Sequence, residues 1–219
     1  MEYTVRAMNT DMLTILDIIG VVSFTISGSL LATRKKMDYL GVCILGIITA
    51  VGGGATRDVI IGHTPPVMFT NPIYVAISFV VANLVFFYLY FHINVKAKPK
   101  MSHIFEKALF WFDTIGLASF TVNGVMVGIR VDDKNIFLCT FLGVITGVGG
   151  GVLRDLLATE VPAIFKKHVY AVASIAGALA TSLLWHVAGD LVAVLVGMAL
   201  IILIRFFAKR YKWNLPHIH

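Results

Sequence analysis

Long apolar stretches dominate the chain, separated by short polar punctuation. Seven runs are long enough to cross a bilayer: residues 12–33, 40–61, 72–92, 110–130, 136–157, 168–187 and 189–207. A hydrocarbon core about 30 Å thick needs roughly 20 apolar residues per helical crossing, so each run reads as one membrane-spanning helix. The runs lack the strict alternation of half-buried strands, and the connections are too short for a soluble domain. The expected fold class is an all-α integral membrane protein, one transmembrane domain over 1–219. The longest connection, about 93–109, carries Lys96, Lys98, Lys100 and Lys107 around Pro99 and reads as a loop. The first run is followed by six more and its flank mixes acid with base, so it reads as a retained helix rather than a cleaved signal.

The pattern also repeats. Asp17–Gly28 reads DIIGVVSFTISG and Asp113–Gly124 reads DTIGLASFTVNG, identical at seven of twelve positions. Leu45–Asp58 reads LGIITAVGGGATRD and Leu142–Asp155 reads LGVITGVGGGVLRD, identical at ten of fourteen. Pro65 aligns with Pro162 at the same offset as the second block. Shared hydrophobicity does not explain matches at Asp, Gly, Thr and Arg. Each unit, 12–92 and 110–187, holds three spans, and an odd number makes the second copy enter from the opposite side. The expected architecture is an inverted repeat of two three-helix units plus a seventh helix at 189–207. Such repeats place functional sites near the midplane, where the halves meet.

Composition agrees: the chain is 58% hydrophobic and 14% charged, against roughly 25% charged for soluble domains. Cys43 and Cys139 lie in apolar runs and read as small buried hydrophobes. The net charge of +6 is explained by its placement. With the N-terminus outside, the inner segments hold thirteen cations (Arg34–Lys36, the four lysines of 96–107, Lys166, Lys167, Arg205, Lys209, Arg210 and Lys212), and the outer ones only Arg6, Arg130 and Lys134. This bias predicts an outer N-terminus and an inner C-terminus in a bacterial-type inner membrane. The inner basic groups suit anionic lipid headgroups rather than nucleic acid.

The candidate chemistry falls on repeat equivalents. Gly52, Gly53 and Gly54 in the second span, and Gly149, Gly150 and Gly151 in the fifth, each cost about 1 kcal/mol relative to alanine in a helix interior. Two such triplets predict a kink or an unwound segment whose carbonyls face an ion; close helix packing is the alternative. Arg57 and Asp58, and Arg154 and Asp155, lie within the membrane and must face protein or water. Adjacent residues point about 100° apart on a helix, so each arginine is expected to find partners other than its neighbouring aspartate. With Asp17 and Asp113 they suggest one buried charge network across the repeat axis; arginines reaching back to the interface are the alternative. Ser23, Thr25, Thr49, Ser119, Thr121, Asn123 and Thr146 either line a polar path or bond back to a carbonyl one turn earlier. Seven scattered histidines form no metal-ligand pair, and no nucleophile–base constellation is present, so neither a metal site, a cofactor nor enzyme catalysis is expected.

Seven spans, a duplicated three-helix unit and GGGxxRD in both halves resemble the prokaryotic branch of the trimeric intracellular cation (TRIC) channels over residues 12–207. The resemblance implies a homotrimer with one pore per protomer, conducting monovalent cations such as potassium or sodium. It also implies that the second and fifth helices bend at their glycines, with Gly52–Gly54, Arg57, Asp58, Gly149–Gly151, Arg154 and Asp155 shaping the pore. Animal members carry Lys-Glu-Val where this chain reads Arg-Asp, so their phosphoinositide regulation does not carry over. The same bacterial group also bears the description of glycine transporters, which leaves a small-solute carrier as the alternative.

Overall fold

The computed structural model describes residues 10–93, 99–166 and 169–213, and among these every regular element is helical. Seven helices are long and apolar enough to span a membrane. They are α1 (Thr10–Arg34), α2 (Tyr39–Ile60), α4 (Ile73–Ile93), α5 (Pro99–Val131), α6 (Ile136–Leu157), α8 (Val169–Ala188) and α9 (Asp190–Tyr211). Two single-turn helices, α3 (Val67–Thr70) and α7 (Ala163–Lys166), follow α2 and α6.

The ends show why the chain turns where it does. Asp38 caps α2 by accepting from the Gly41 amide at 2.8 Å, and its repeat equivalent Asn135 caps α6 from the Leu138 amide at 2.9 Å. Each cap satisfies one amide that the first helical turn leaves unpaired. At the far ends the chain leaves through equivalent left-handed residues, Gly62 and Thr159. The His63 and Glu160 amides bond back to the Asp58 and Asp155 carbonyls, each at 2.8 Å.

Two expectations need correction here. The connection at 93–109 is not a loop throughout: α5 begins at Pro99 and runs on as one helix. Proline is suited to a first helical position, where its missing N–H is no loss. The structural counterpart of Pro162 is Pro66 rather than Pro65, because each immediately precedes its single-turn helix and accepts from the amide three residues on, Phe69 or Phe165, at 2.9 Å. Arg6, Lys96, Lys98, Lys167, His168 and the terminal PHIH lie outside the described residues.

Helices α1 and α5 form the centre. They pack on one another, α1 also on α2 and α4, and α5 on α6, α8 and α9, while α2 meets α6 across the repeats. Over their most apolar windows, 67% of α1 and 78% of α5 is buried, against 17% of α4 and 28% of α9. The outer helices therefore turn large apolar side chains outward, among them Leu84, Phe87, Phe91, Leu191 and Leu195. Hydrocarbon, not water, suits that surface.

The centre is built on glycines. A Cβ at Gly20 would overlap the Phe120 ring, and one at the equivalent Gly116 would overlap the Phe24 ring. Each phenylalanine is thus seated on the glycine of the opposite repeat, and the two rings meet edge to face at 5.3 Å.

Candidate functional site: two charged cavities on either side of a glycine crossing

The glycine triplets do not unwind their helices. Both α2 and α6 remain helical through residues 52–54 and 149–151, so the expected unwound segment with freed carbonyls is not formed. The middle glycines instead let the helices touch. A Cβ on Gly53 would run into the Thr146 carbonyl of α6, and one on Gly150 into the Thr49 carbonyl of α2. The helical bonds survive, and the cost of glycine is met by backbone-close packing between helices.

The arginines lie one turn beyond this crossing, near the C-terminal ends of two antiparallel helices, and so toward opposite faces of the membrane. Both are buried rather than reaching back to the interface. Contrary to expectation, each grips its own neighbour. Arg57 donates from Nε and Nη2 to Asp58 Oδ1 at 2.9 and 2.8 Å. Arg154 donates from Nε to Asp155 Oδ1 at 2.9 Å, with Nη2 at 2.8 Å. The arginine side chain is long enough to fold back over the 100° between adjacent positions. The second carboxylate oxygen in each pair ties down the following turn: Asp58 Oδ2 accepts from the Val67 amide at 3.0 Å, and Asp155 Oδ2 from the Ala163 amide at 2.8 Å.

Each arginine also crosses to the other repeat, at equivalent positions. Arg57 Nη1 donates to Asn123 Oδ1 at 3.1 Å, and Arg154 Nη1 to Ser27 Oγ at 2.6 Å. There the symmetry ends. Arg154 pairs with Asp113 at 2.7 Å, and Asp113 also pairs with Arg205 of α9 at 2.8 Å. Asp17 makes no such ion pair among the described residues, and accepts instead from the Tyr74 hydroxyl at 3.3 Å. The charges therefore form two clusters, one per face, rather than one network.

Each cluster lines a cavity. The one on the Arg154 face is about 600 Å³ and bounded by Arg34, Glu106, Phe110, Asp113, Arg154, Tyr170, Arg205, Lys209 and Trp213 among others. The one on the Arg57 face is about 60 Å³ and bounded by Asp17, Val21, Gly54, Arg57, Asp58, Tyr74, Phe120 and Thr146 among others. They share no lining residue.

Most of the expected hydroxyls serve packing. Thr25, Thr49 and Thr146 bond back to the carbonyls of Val21, Leu45 and Leu142. Thr121 pairs with Ser174 at 2.9 Å, and Ser119 donates to the Leu16 carbonyl at 2.7 Å. Ser23 is buried. Of this set Thr146 borders one of these two cavities, on the Arg57 face. Sequence reasoning missed Ser27, Tyr74, Tyr170 and Arg205. Arg205 carries a usable signal: the charge count places it among the inner cations, yet it lies inside the seventh apolar run. Its guanidinium is buried 4.5 Å over the Tyr170 ring and 5.2 Å over Phe110. Among the described residues, no group of three or more His, Cys, Asp or Glu could hold a metal.

The fold is shared with solved proteins. A family model described as glycine transporter matches the chain twice, at residues 14–90 and 110–186. A prokaryotic TRIC channel in 0.5 M KCl superposes with a TM-score of 0.83 at 29% identity, over 94% of this chain and all of that one. The TRIC trimeric intracellular cation channel orthologue from Rhodobacter sphaeroides superposes at 0.81 with 32% identity, covering 92% of this chain and 98% of its own. The chain belongs to the TRIC family. Its curated relatives include a UPF0126 membrane protein of Deinococcus radiodurans, 37% identical over 92% of this chain and 89% of the relative. The UPF0126 inner membrane protein YadS of Escherichia coli is 34% identical over 92% and 93%. The family model thus covers both repeats, and the solved TRIC structures superpose on 92–94% of the chain.

Proposed function

We propose that this protein is a monovalent cation channel, conducting potassium above all, with one path per protomer along the axis between the repeats. The observation that carries the reading is the pair of cavities on opposite faces, each ending at a buried Arg/Asp cluster, with only the glycine-seated centre between them. An ion path needs polar vestibules from both sides and a short barrier that can open. The acidic groups, Asp17, Asp58, Asp113 and Asp155, supply attraction for a cation; Arg57 holds Asp58, Arg154 holds Asp113 and Asp155, and the Tyr74 hydroxyl holds Asp17. Since the triplets stay helical, dehydration rests on side-chain oxygens and water rather than on freed carbonyls. The solved relatives described as TRIC cation channels support this reading. The proposal includes assembly as a homotrimer, an inner-membrane location with the N-terminus outside and the Arg154 cavity inside, contact of the inner basic groups with anionic lipid, and no cofactor besides the permeant ion.

A second reading is a secondary carrier for a small solute such as glycine. It is favoured by the description of the matching family model and by a closed centre flanked by two cavities, the layout alternating access requires. Planar-bilayer recording of the purified protein in asymmetric potassium chloride separates the two. Unitary steps reversing near the potassium potential are the expected result. A silent bilayer, from protein that takes up glycine saturably in proteoliposomes, overturns the channel in favour of the carrier.

A further inference from the structure

We infer that Phe24 and Phe120 form a hydrophobic plug that closes the path between the two cavities, so that opening requires the rings to leave their glycine seats. The inference rests on the conduction reading above and locates its barrier.

The position follows from the helices themselves. On α5, Asp113 borders the Arg154 cavity and Phe120 borders the Arg57 cavity. Seven residues of helix separate them, about 10 Å at 1.5 Å per residue. On α6, Thr146 borders the Arg57 cavity and Arg154 the other, eight residues or about 12 Å apart. Two helices thus give the same thickness, two turns, for the wall between the cavities. Phe24 is fully buried in that wall, and Phe120 is 6% exposed, on the side of the Arg57 cavity.

The wall is apolar. The two phenylalanines pack with Val21, Val51, Leu117 and Val148, while the hydroxyls of Thr25 and Thr49 are turned to carbonyls of their own helices. An apolar constriction closes to ions without being sealed by side-chain bonds, because water leaves it and a bare ion cannot follow. The same seats make it movable. Phe24 rests on Gly116 and on the position a Gly150 Cβ would occupy, and Phe120 rests on Gly20, so each ring is held by contact with the opposite repeat rather than by a hydrogen bond. A shift of one repeat against the other displaces both rings together.

The test is bilayer recording in potassium chloride of the wild type beside Phe24→Ala, Phe120→Ala, Phe24→Leu and Phe120→Leu. Each variant is first checked for wild-type elution in size-exclusion chromatography. Shortening the plug wets the wall, so mean current per protein is expected to rise severalfold in the order Phe, Leu, Ala at either position. The leucine variants keep most of the core volume and decide the matter where an alanine variant does not fold. A silent wild type beside conducting variants also supports the plug. Wild-type currents that every folded variant reproduces overturn the plug and leave the channel reading intact. Silence from wild type and all variants overturns the channel reading and the plug with it.

Discussion

Arg154 shows how a charge is kept inside a membrane protein. Its guanidinium meets Asp155, Asp113 and the Ser27 hydroxyl, and Asp113 is further compensated by Arg205. Burying an ion costs several kcal/mol, which only a complete set of partners offsets. Arg57 has a thinner set: Asp58 and Asn123, with no ion pair to Asp17. Removing one partner of a buried pair leaves the other charge uncompensated, at a cost of about 3–5 kcal/mol. Arg154→Ala, which leaves Asp155 without its arginine and Asp113 with Arg205 alone, is therefore expected to lower the thermal midpoint of the detergent-solubilised protein more than Arg57→Ala does. Arg154→Lys should recover little, since an ammonium cannot reproduce the forked contacts. Equal midpoints for the two alanine variants would show that the extra pair on the Arg154 face adds nothing.

At the scale of a helix, the question is what each glycine in the triplets is for. Helix propensity argues for a break, at about 1 kcal/mol per glycine, yet α2 and α6 are unbroken because close contact between them outweighs that cost. The three positions are not equivalent. Gly53 and Gly150 each have the opposite backbone where a Cβ would go, whereas a Cβ on Gly54 meets nothing nearer than Arg57 Nη2 at 3.8 Å. Gly53→Ala must push α2 and α6 apart and is expected to abolish recovery of folded protein. Gly54→Ala has room, and its higher helix propensity should leave the thermal midpoint unchanged or raise it slightly. Comparable yields of folded protein from both variants would refute the crossing as the reason for the triplet. The number of spans, the repeat and the identities of the buried charges other than Arg205 are legible in the sequence, because bilayer thickness fixes helix length and charges at membrane depth stand out. What each triplet does was not legible, since unwinding and close packing ask for the same residues. Nor were the partners of Arg57, Arg154 and Arg205, which depend on how separate helices are set against each other.

The molecule as a whole is nearly two-fold, and three of its departures meet on the Arg154 face. Helix α9, which has no counterpart in the first repeat, brings Arg205 there, and the cavity on that side is about 600 Å³ against about 60 Å³ on the other. The same face carries a bond between the repeats: Glu160, just after α6, pairs with Arg34 at 2.7 Å and Lys35 at 3.1 Å, both at the end of α1. The corresponding positions on the Arg57 face are His63 and Arg130, which cannot reproduce a carboxylate pair. Partial burial pushes the Glu160 carboxyl up, but the hydrogen bond from Lys35 and the charge of Arg34 outweigh it and hold the group below its ordinary value of 4.5. A carboxyl lowered in the folded state stabilises above its unfolded value, and that contribution is lost as pH falls through the folded one. The groups are partly exposed, so the pair is worth at most about 1 kcal/mol. Glu160→Gln should therefore lower the thermal midpoint slightly at neutral pH, and the gap to wild type should close on acidification below the ordinary carboxylate range. High salt should narrow it as well, since exposed pairs are screened. A gap that persists unchanged in acid would mean that Glu160 holds its turn by shape rather than by charge, leaving the two repeats without an ionic tie on this face.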